Sequence, residues 1–82
     1  MHYEDLTITG IYASETCWYA TLDSKRGGKF SFPIADLDVS EEELSQNGIV
    51  TGKTFLGVIE NDRVVALDGF SFIEAKSKPK NR

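Results

Sequence analysis

The sequence predicts a mainly β fold, a small antiparallel barrel of five to six strands with one short helix near residues 40–47. Three observations predict it. Apolar and polar residues alternate with period two in several short runs, as they do in half-buried strands. Pairs that tolerate tight turns separate those runs, notably Asn61-Asp62 and Asp68-Gly69. Only the segment around Ser40 carries both a helix-start and a helix-stop signal.

With 82 residues, one domain is expected. A chain this short buries only about 60–65% of the surface it exposes when unfolded, so its stability is modest. At 40% hydrophobic and 27% charged, the composition fits neither a disordered nor a membrane chain. No apolar run approaches the roughly 18–20 residues of a spanning helix. The start, MHYEDLTITG, is acidic and alternating rather than signal-like. Cys17 is the only cysteine, which excludes an internal disulfide and a multi-cysteine zinc site. A cytoplasmic protein without cofactor, metal or membrane contact is the expectation.

The net charge of -4 conceals an asymmetry. Residues 1–75 hold five cations against all thirteen acids, a net −8, and residues 76–82 hold the other four cations and no acid. Residues 1–75 are therefore read as one acidic barrel domain and 76–82 as a disordered basic tail. An acidic body opposes broad nucleic-acid binding, because a basic surface supplies most of that affinity.

In the first strand, Leu6 and Ile8 alternate with Thr7 and Thr9 until Gly10 interrupts. A bulge at Gly10 puts Ile11 inside and Tyr12 outside, and curves the strand as a small barrel requires. Ser14-Glu15 makes a short turn. In the second strand, Thr16 to Asp23, the residues Trp18, Ala20 and Leu22 share the core face. Cys17, Tyr19 and Thr21 share the other. After the loop Ser24 to Gly28, Lys29 opens a third strand whose Phe30, Phe32 and Ile34 alternate with Ser31 and Pro33. Pro33 cannot donate to a ladder, so the strand ends there or lies on an edge.

The helix runs within Val39 to Gly48. Ser40 is its N-cap, Glu43 completes a capping box, and Val39 and Leu44 are spaced as a hydrophobic staple. Glu41, Glu42 and Glu43 lie where the macrodipole favours anions, and Asn47-Gly48 stops the helix. About two turns cannot stand alone, so the helix docks on the sheet.

The stretch Gly52 to Ala75 is the most densely apolar part of the chain and reads as a meander of Phe55 to Glu60, Arg63 to Leu67 and Phe70 to Ala75. A two-residue turn at Asn61-Asp62 would put Leu56, Val58, Val65 and Leu67 on one face. Phe55, Ile59, Val64 and Ala66 would take the other. Only one face can line a barrel, so the other needs a cover from the helix, the final strand or a second chain. The echo between Ala20-Thr21-Leu22-Asp23 and Ala66-Leu67-Asp68, each leading through glycine to Phe-Ser-Phe, is ordinary hairpin chemistry.

Three strands, a short helix, then two or three strands is the β-β-β-α-β-β order of an OB-like barrel. An SH3-like barrel or an α+β sheet with one helix fits the same order.

No catalytic constellation stands out. His2 lies at the terminus and is read as idle, and Cys17 has no histidine inside the fold to activate it. The acids Asp36, Asp38, Glu41, Glu42 and Glu43 miss the calcium-loop spacing, and helix capping explains them. Gly52-Lys53-Thr54 lacks the first glycine and the strand-loop-helix setting of a phosphate loop. The best anion signal is the loop carrying Lys25, Arg26 and Lys29, although a solvated hairpin loop has the same composition.

The expectation is a non-enzymatic interaction module that contacts a protein partner or itself. The expected contact residues are Tyr12, Tyr19, Lys25, Arg26 and Lys29, with the basic loop bordering the tyrosines. A single-stranded nucleic-acid binder is the alternative, resting on stacking tyrosines and the basic loop. An acidic inhibitor that mimics nucleic acid is a third reading.

Overall fold

The alternation around Leu6 extends almost to the N-terminus. In the computed structural model, which describes residues 1–75, β1 runs His2–Ala13, longer than its apolar signal. β2 (Cys17–Ser24), β3 (Lys29–Asp36), α1 (Glu41–Gln46), β4 (Thr54–Glu60) and β5 (Arg63–Leu67) follow. The five strands are antiparallel in the order β3-β2-β1-β4-β5, and they form a nearly closed barrel with one short helix. The sheet is therefore built around β1 rather than around the apolar meander. Leu6 to Ala13 pair with β2, and His2 to Thr7 pair with β4. The tail at 76–82 lies outside the described residues.

Three bulges shape the sheet. On β1 the register shifts between Ile8 and Gly10, so Thr9 and Gly10 together face Thr21. This is the bulge expected at Gly10, and it turns Ile11 toward the core and Tyr12 outward. A Cβ on Gly10 would lie 2.9 Å from the Thr21 hydroxyl, which is why the bulge carries a glycine. On β3, Ile34 is skipped between Pro33 and Ala35, so the edge strand continues past its proline.

The third bulge falls on β5 at Val65, because Val58 faces Ala66 while Ile59 faces Val64. It overturns the expected face assignment. Leu67 crosses to the interior and Ala66 moves to the outside, so Gly57, Ile59 and Leu67 are buried inward. Gly57 is required where it stands, since a Cβ there would meet the fully buried Leu6 side chain. The β4–β5 turn forms as expected, with Asn61 at φ 53° and Asp62 at φ 63°.

The core joins Leu6 and Ile8 of β1, Ala20 and Leu22 of β2, Ile34 and Ala35 of β3, Ile59 and Leu67, and the helix-region residues Val39, Leu44 and Ile49. Ser40 caps α1 by accepting from the Glu43 N–H at 3.1 Å. Trp18 is half-buried rather than fully enclosed. It packs on the core and its indole N–H donates to the Val39 carbonyl at 2.8 Å, fastening β2 to the helix entry.

The run Phe70 to Ala75 does not form the third strand of a meander. Gly69 turns the chain away from β5, and the segment meets the free edge of β3 in a single parallel bridge, Ala35 to Ile73. Asp36 N–H donates to the Ile73 carbonyl at 2.9 Å and Ile73 N–H to the Ile34 carbonyl at 3.0 Å. Part of the exposed β3 edge is thereby covered. Five strands form, the lower of the expected numbers.

Candidate functional site

Two outer faces of the barrel are candidate sites, and β1 contributes to both. On the β1–β2–β3 face the outward residues stand in cross-strand rows. The first row is Tyr12, Tyr19 and Pro33. The second is Thr9 with Thr21 and Ser31, and the third is Thr7, Asp23 and Lys29.

Tyr12 and Tyr19 stack with centroids 5.6 Å apart and planes at 12°. Tyr19 is half-buried and Tyr12 is exposed. The neighbouring Cys17 thiol pushes the Tyr19 phenol above its ordinary value, and partial desolvation and Tyr12 act in the same direction. Thr9 and Thr21 hydroxyls are hydrogen-bonded at 3.1 Å, and the Thr21 hydroxyl lies 3.3 Å from the Gly10 carbonyl. Thr9, Thr21, Asp23, Lys29, Phe30 and Ser31 line an open groove of about 420 Å³.

The basic loop does not border the tyrosines. It leaves the opposite end of β2, six residues from Tyr19, or about 20 Å along an extended strand. Ser24 holds the loop closed, its hydroxyl accepting from the Arg26 and Gly28 N–H groups at 3.1 Å. Lys25 faces Asp5 at 3.9 Å and Lys29 faces Asp23 at 3.3 Å, so two of the three cations already have carboxylate partners. The structure thus pairs Tyr12 with Tyr19 and sets Lys25 and Arg26 apart from them, while Lys29 stands on the same outer face two rows away, held by Asp23.

The second face belongs to β1, β4 and β5. Tyr3, Val58 and Ala66 form a row across the three strands. Leu56 and Val65 flank it. Tyr3 is 61% exposed, Val65 49% and Leu56 41%. Among the described residues no element covers this row. Asp5, with Lys25 at 3.9 Å, stands beside Leu56, and Glu60 ends β4 opposite Arg63, so the apolar patch has a charged rim of both signs. Tyr3 belongs to this face although it lies before the apolar run that marks β1 in the sequence. Carrying the alternation of Leu6 and Ile8 back one turn of the pleat places it outside.

His2 is not idle. It pairs with Ile59 in the β1–β4 ladder, and its Nε2 lies 2.6 Å from the Glu4 carboxylate. That bond holds the Glu4 carboxyl below the usual carboxylate range, with the Ser24 hydroxyl helping. His2 and Cys17 lie at opposite ends of the β1–β2 hairpin, so they form no nucleophile-base pair. Among the described residues, no three His, Cys, Asp or Glu side chains gather as a metal ion would need. No described helix is long and apolar enough to cross a membrane.

No protein-family model, curated protein or solved structure matches the chain, so both faces are read on their own chemistry.

Proposed function

We propose that the protein is a non-enzymatic interaction module that docks a protein partner on the outer face of β1–β4–β5. The uncovered apolar row Tyr3–Val58–Ala66, flanked by Leu56 and Val65, carries this reading. Single exposed apolar residues are normal, but a contiguous set across three strands is the signature of a surface that meets another one.

Charge selects the kind of partner. At the rim Asp5 has Lys25 at 3.9 Å and Glu60 has Arg63 opposite it, so the bias comes from the whole of residues 1–75, which carry a net −8. Two copies of so acidic a body repel each other, which slows their encounter. A partner with an apolar contact surface and a net positive charge meets no such opposition. We read the architecture as OB-like. The reading rests on the strand order, on β1 shared between two ladders, and on a helix between the third and fourth strands. The cytoplasmic setting belongs to the same proposal and rests on the free thiol of Cys17, the chain's only cysteine.

The experiment places a photo-crosslinking side chain at Val65 in one preparation and at Ser45 of α1 in another, both in living cells. A discrete protein adduct from position 65 and none from position 45 is expected. Equal labelling at both would overturn the assignment of the face. Sedimentation of the purified chain should return a monomer, and a dimer abolished by Leu56→Glu would make the partner a second copy.

A further inference from the structure

We propose that the other face, the outer surface of β1–β2–β3, is a second site that binds an uncharged polyhydroxylated chain, a neutral oligosaccharide. This face is separate from the apolar one and differs from it in composition. In an acidic body, this face carries only two charges in its three rows, and Asp23 and Lys29 neutralise each other at 3.3 Å. The one cation in its rows is paired, and a single further one, Arg63, borders Ser31 across a neighbouring groove, so the face offers little of the charge that dominates nucleic-acid affinity.

What the face does offer is hydroxyl groups in a fixed array. Thr9, Thr21 and Ser31 stand side by side across three strands. Thr21 donates its proton to the Gly10 carbonyl and Thr9 donates to Thr21, so both keep lone pairs that accept from sugar hydroxyls, while Ser31 can donate or accept. Thr9 and Thr21 are already tied together at 3.1 Å, and the bulge fixes their spacing, so little side-chain freedom is lost on binding. The Ser31 hydroxyl makes no hydrogen bond among the described residues and is free to accept or donate.

Aromatic surface brackets these hydroxyls. The Tyr12–Tyr19 stack lies one row away, and Phe30 lines the groove itself. The β4 ladder stops at Thr7, so the side of Tyr12 away from Tyr19 has no strand beside it. An aromatic ring carries negative charge on its face, which attracts the weakly positive C–H groups of a sugar ring. From the tyrosine row to the Asp23 row the face spans four residues of β2, about 13 Å. The groove of about 420 Å³ falls within the roughly 300–1,000 Å³ of small-ligand sites. A peptide is disfavoured here, because extended peptides add along a strand edge through their backbone, whereas the hydroxyl row runs across the sheet from β1 to β3.

The test uses the full chain, isotope-labelled, titrated by NMR with three neutral hexasaccharides: β-1,4-linked glucose, β-1,4-linked N-acetylglucosamine and α-1,4-linked glucose. A thymidine oligonucleotide at low salt is the comparison ligand. At least one saccharide should give saturable shifts at Thr9, Tyr19, Thr21 and Ser31 that do not change with salt. Thr21→Val keeps the side-chain shape and should weaken binding about tenfold or more, because the sugar hydroxyl it met is left unpaired. Tyr12→Ala should do the same, and Ser31→Ala replaces it should that variant lose its dispersed spectrum. Absence of shifts with all three saccharides overturns the proposal. So do shifts confined to Leu56 and Val65, or Thr21→Val binding as tightly as the parent. Oligonucleotide shifts that disappear with salt would give the face to nucleic acid instead.

Discussion

The two outer faces are made by one sheet, and one strand supplies both, yet water treats them differently. On β1–β4–β5, Tyr3, Leu56 and Val65 remain partly exposed, and covering each would gain about 1 kcal/mol, half the value of a full burial. On β1–β2–β3, the threonines, Ser31, Asp23 and Lys29 are satisfied by water and by one another, so covering them gains almost nothing net. The apolar face can supply affinity for any surface of the right shape. The hydroxyl rows supply mainly discrimination, and the Tyr12–Tyr19 stack supplies the apolar area of that face. The bulge at Thr9 and Gly10 lies where β1 passes from one ladder to the other.

The largest way to break both faces at once is to remove what lies beneath them. Trp18→Ala takes away a half-buried indole and its bond to the Val39 carbonyl. A loss of about 3 kcal/mol is expected, at the low end for a large aromatic because the ring is partly exposed. In a domain this small that approaches the whole stability. Chemical denaturation measures it, and a midpoint near the parent's would mean that Trp18 is not an anchor.

Gly57→Ala separates the faces. The new methyl would drive into Leu6, which has no exposed surface to yield into, so β4 must shift outward. Overpacking of this kind costs about 1–3 kcal/mol. Amide shifts should concentrate on β4 and β5 and leave Tyr19, Thr21 and Ser31 in place. Equal disturbance of both faces would show that they are mechanically coupled through β1.

Much of this geometry was legible in the sequence, and the rest failed for identifiable reasons. The bulge at Gly10, the Ser40 cap and the Asn61-Asp62 turn each had a residue whose chemistry demands the conformation. The Val65 bulge had none. Arg63 to Leu67 is a run without glycine or proline, and its register depends on where Leu67 finds a cavity, which is a property of the assembled barrel. The same holds for Ile73, whose apolar run meets a β3 edge distant in sequence. The separation of the basic loop from Tyr19 could have been found by counting strand residues, since six extended residues cannot bring the two together.

Leu56→Glu is expected to change stability by less than about 0.5 kcal/mol, because the residue is 41% exposed on the outside of β4. Its effect should appear only in partner binding, where it puts a charge in the middle of the apolar row. Thermal melts alongside crosslinking at Val65 read the two quantities separately. A large stability loss with crosslinking retained would mean that the face is part of the fold rather than a docking surface.

The smallest effect concerns Glu4, which belongs to neither face. It has His2 at 2.6 Å and Ser24 nearby, and the hydrogen bond from His2 holds its carboxyl below the usual 4.5. A carboxylate favoured by the folded state stabilises that state only while it is ionised. Its contribution is therefore complete above about pH 4.5 and disappears as pH falls through the lower folded value. Glu4→Gln removes the ionisation and keeps the shape. The melting temperature of the parent should exceed that of Glu4→Gln near neutral pH, and the gap should narrow steadily below pH 4.5. His2→Ala should narrow the gap at every pH, because it removes the largest cause of the shift. A gap between parent and Glu4→Gln that stays constant from neutral to acid pH would show that the His2–Glu4 contact is a surface encounter with no hold on the fold. Binding at both outer faces should be indifferent to Glu4→Gln, since Glu4 sits on the inward-facing side of β1 with Leu6 and Ile8.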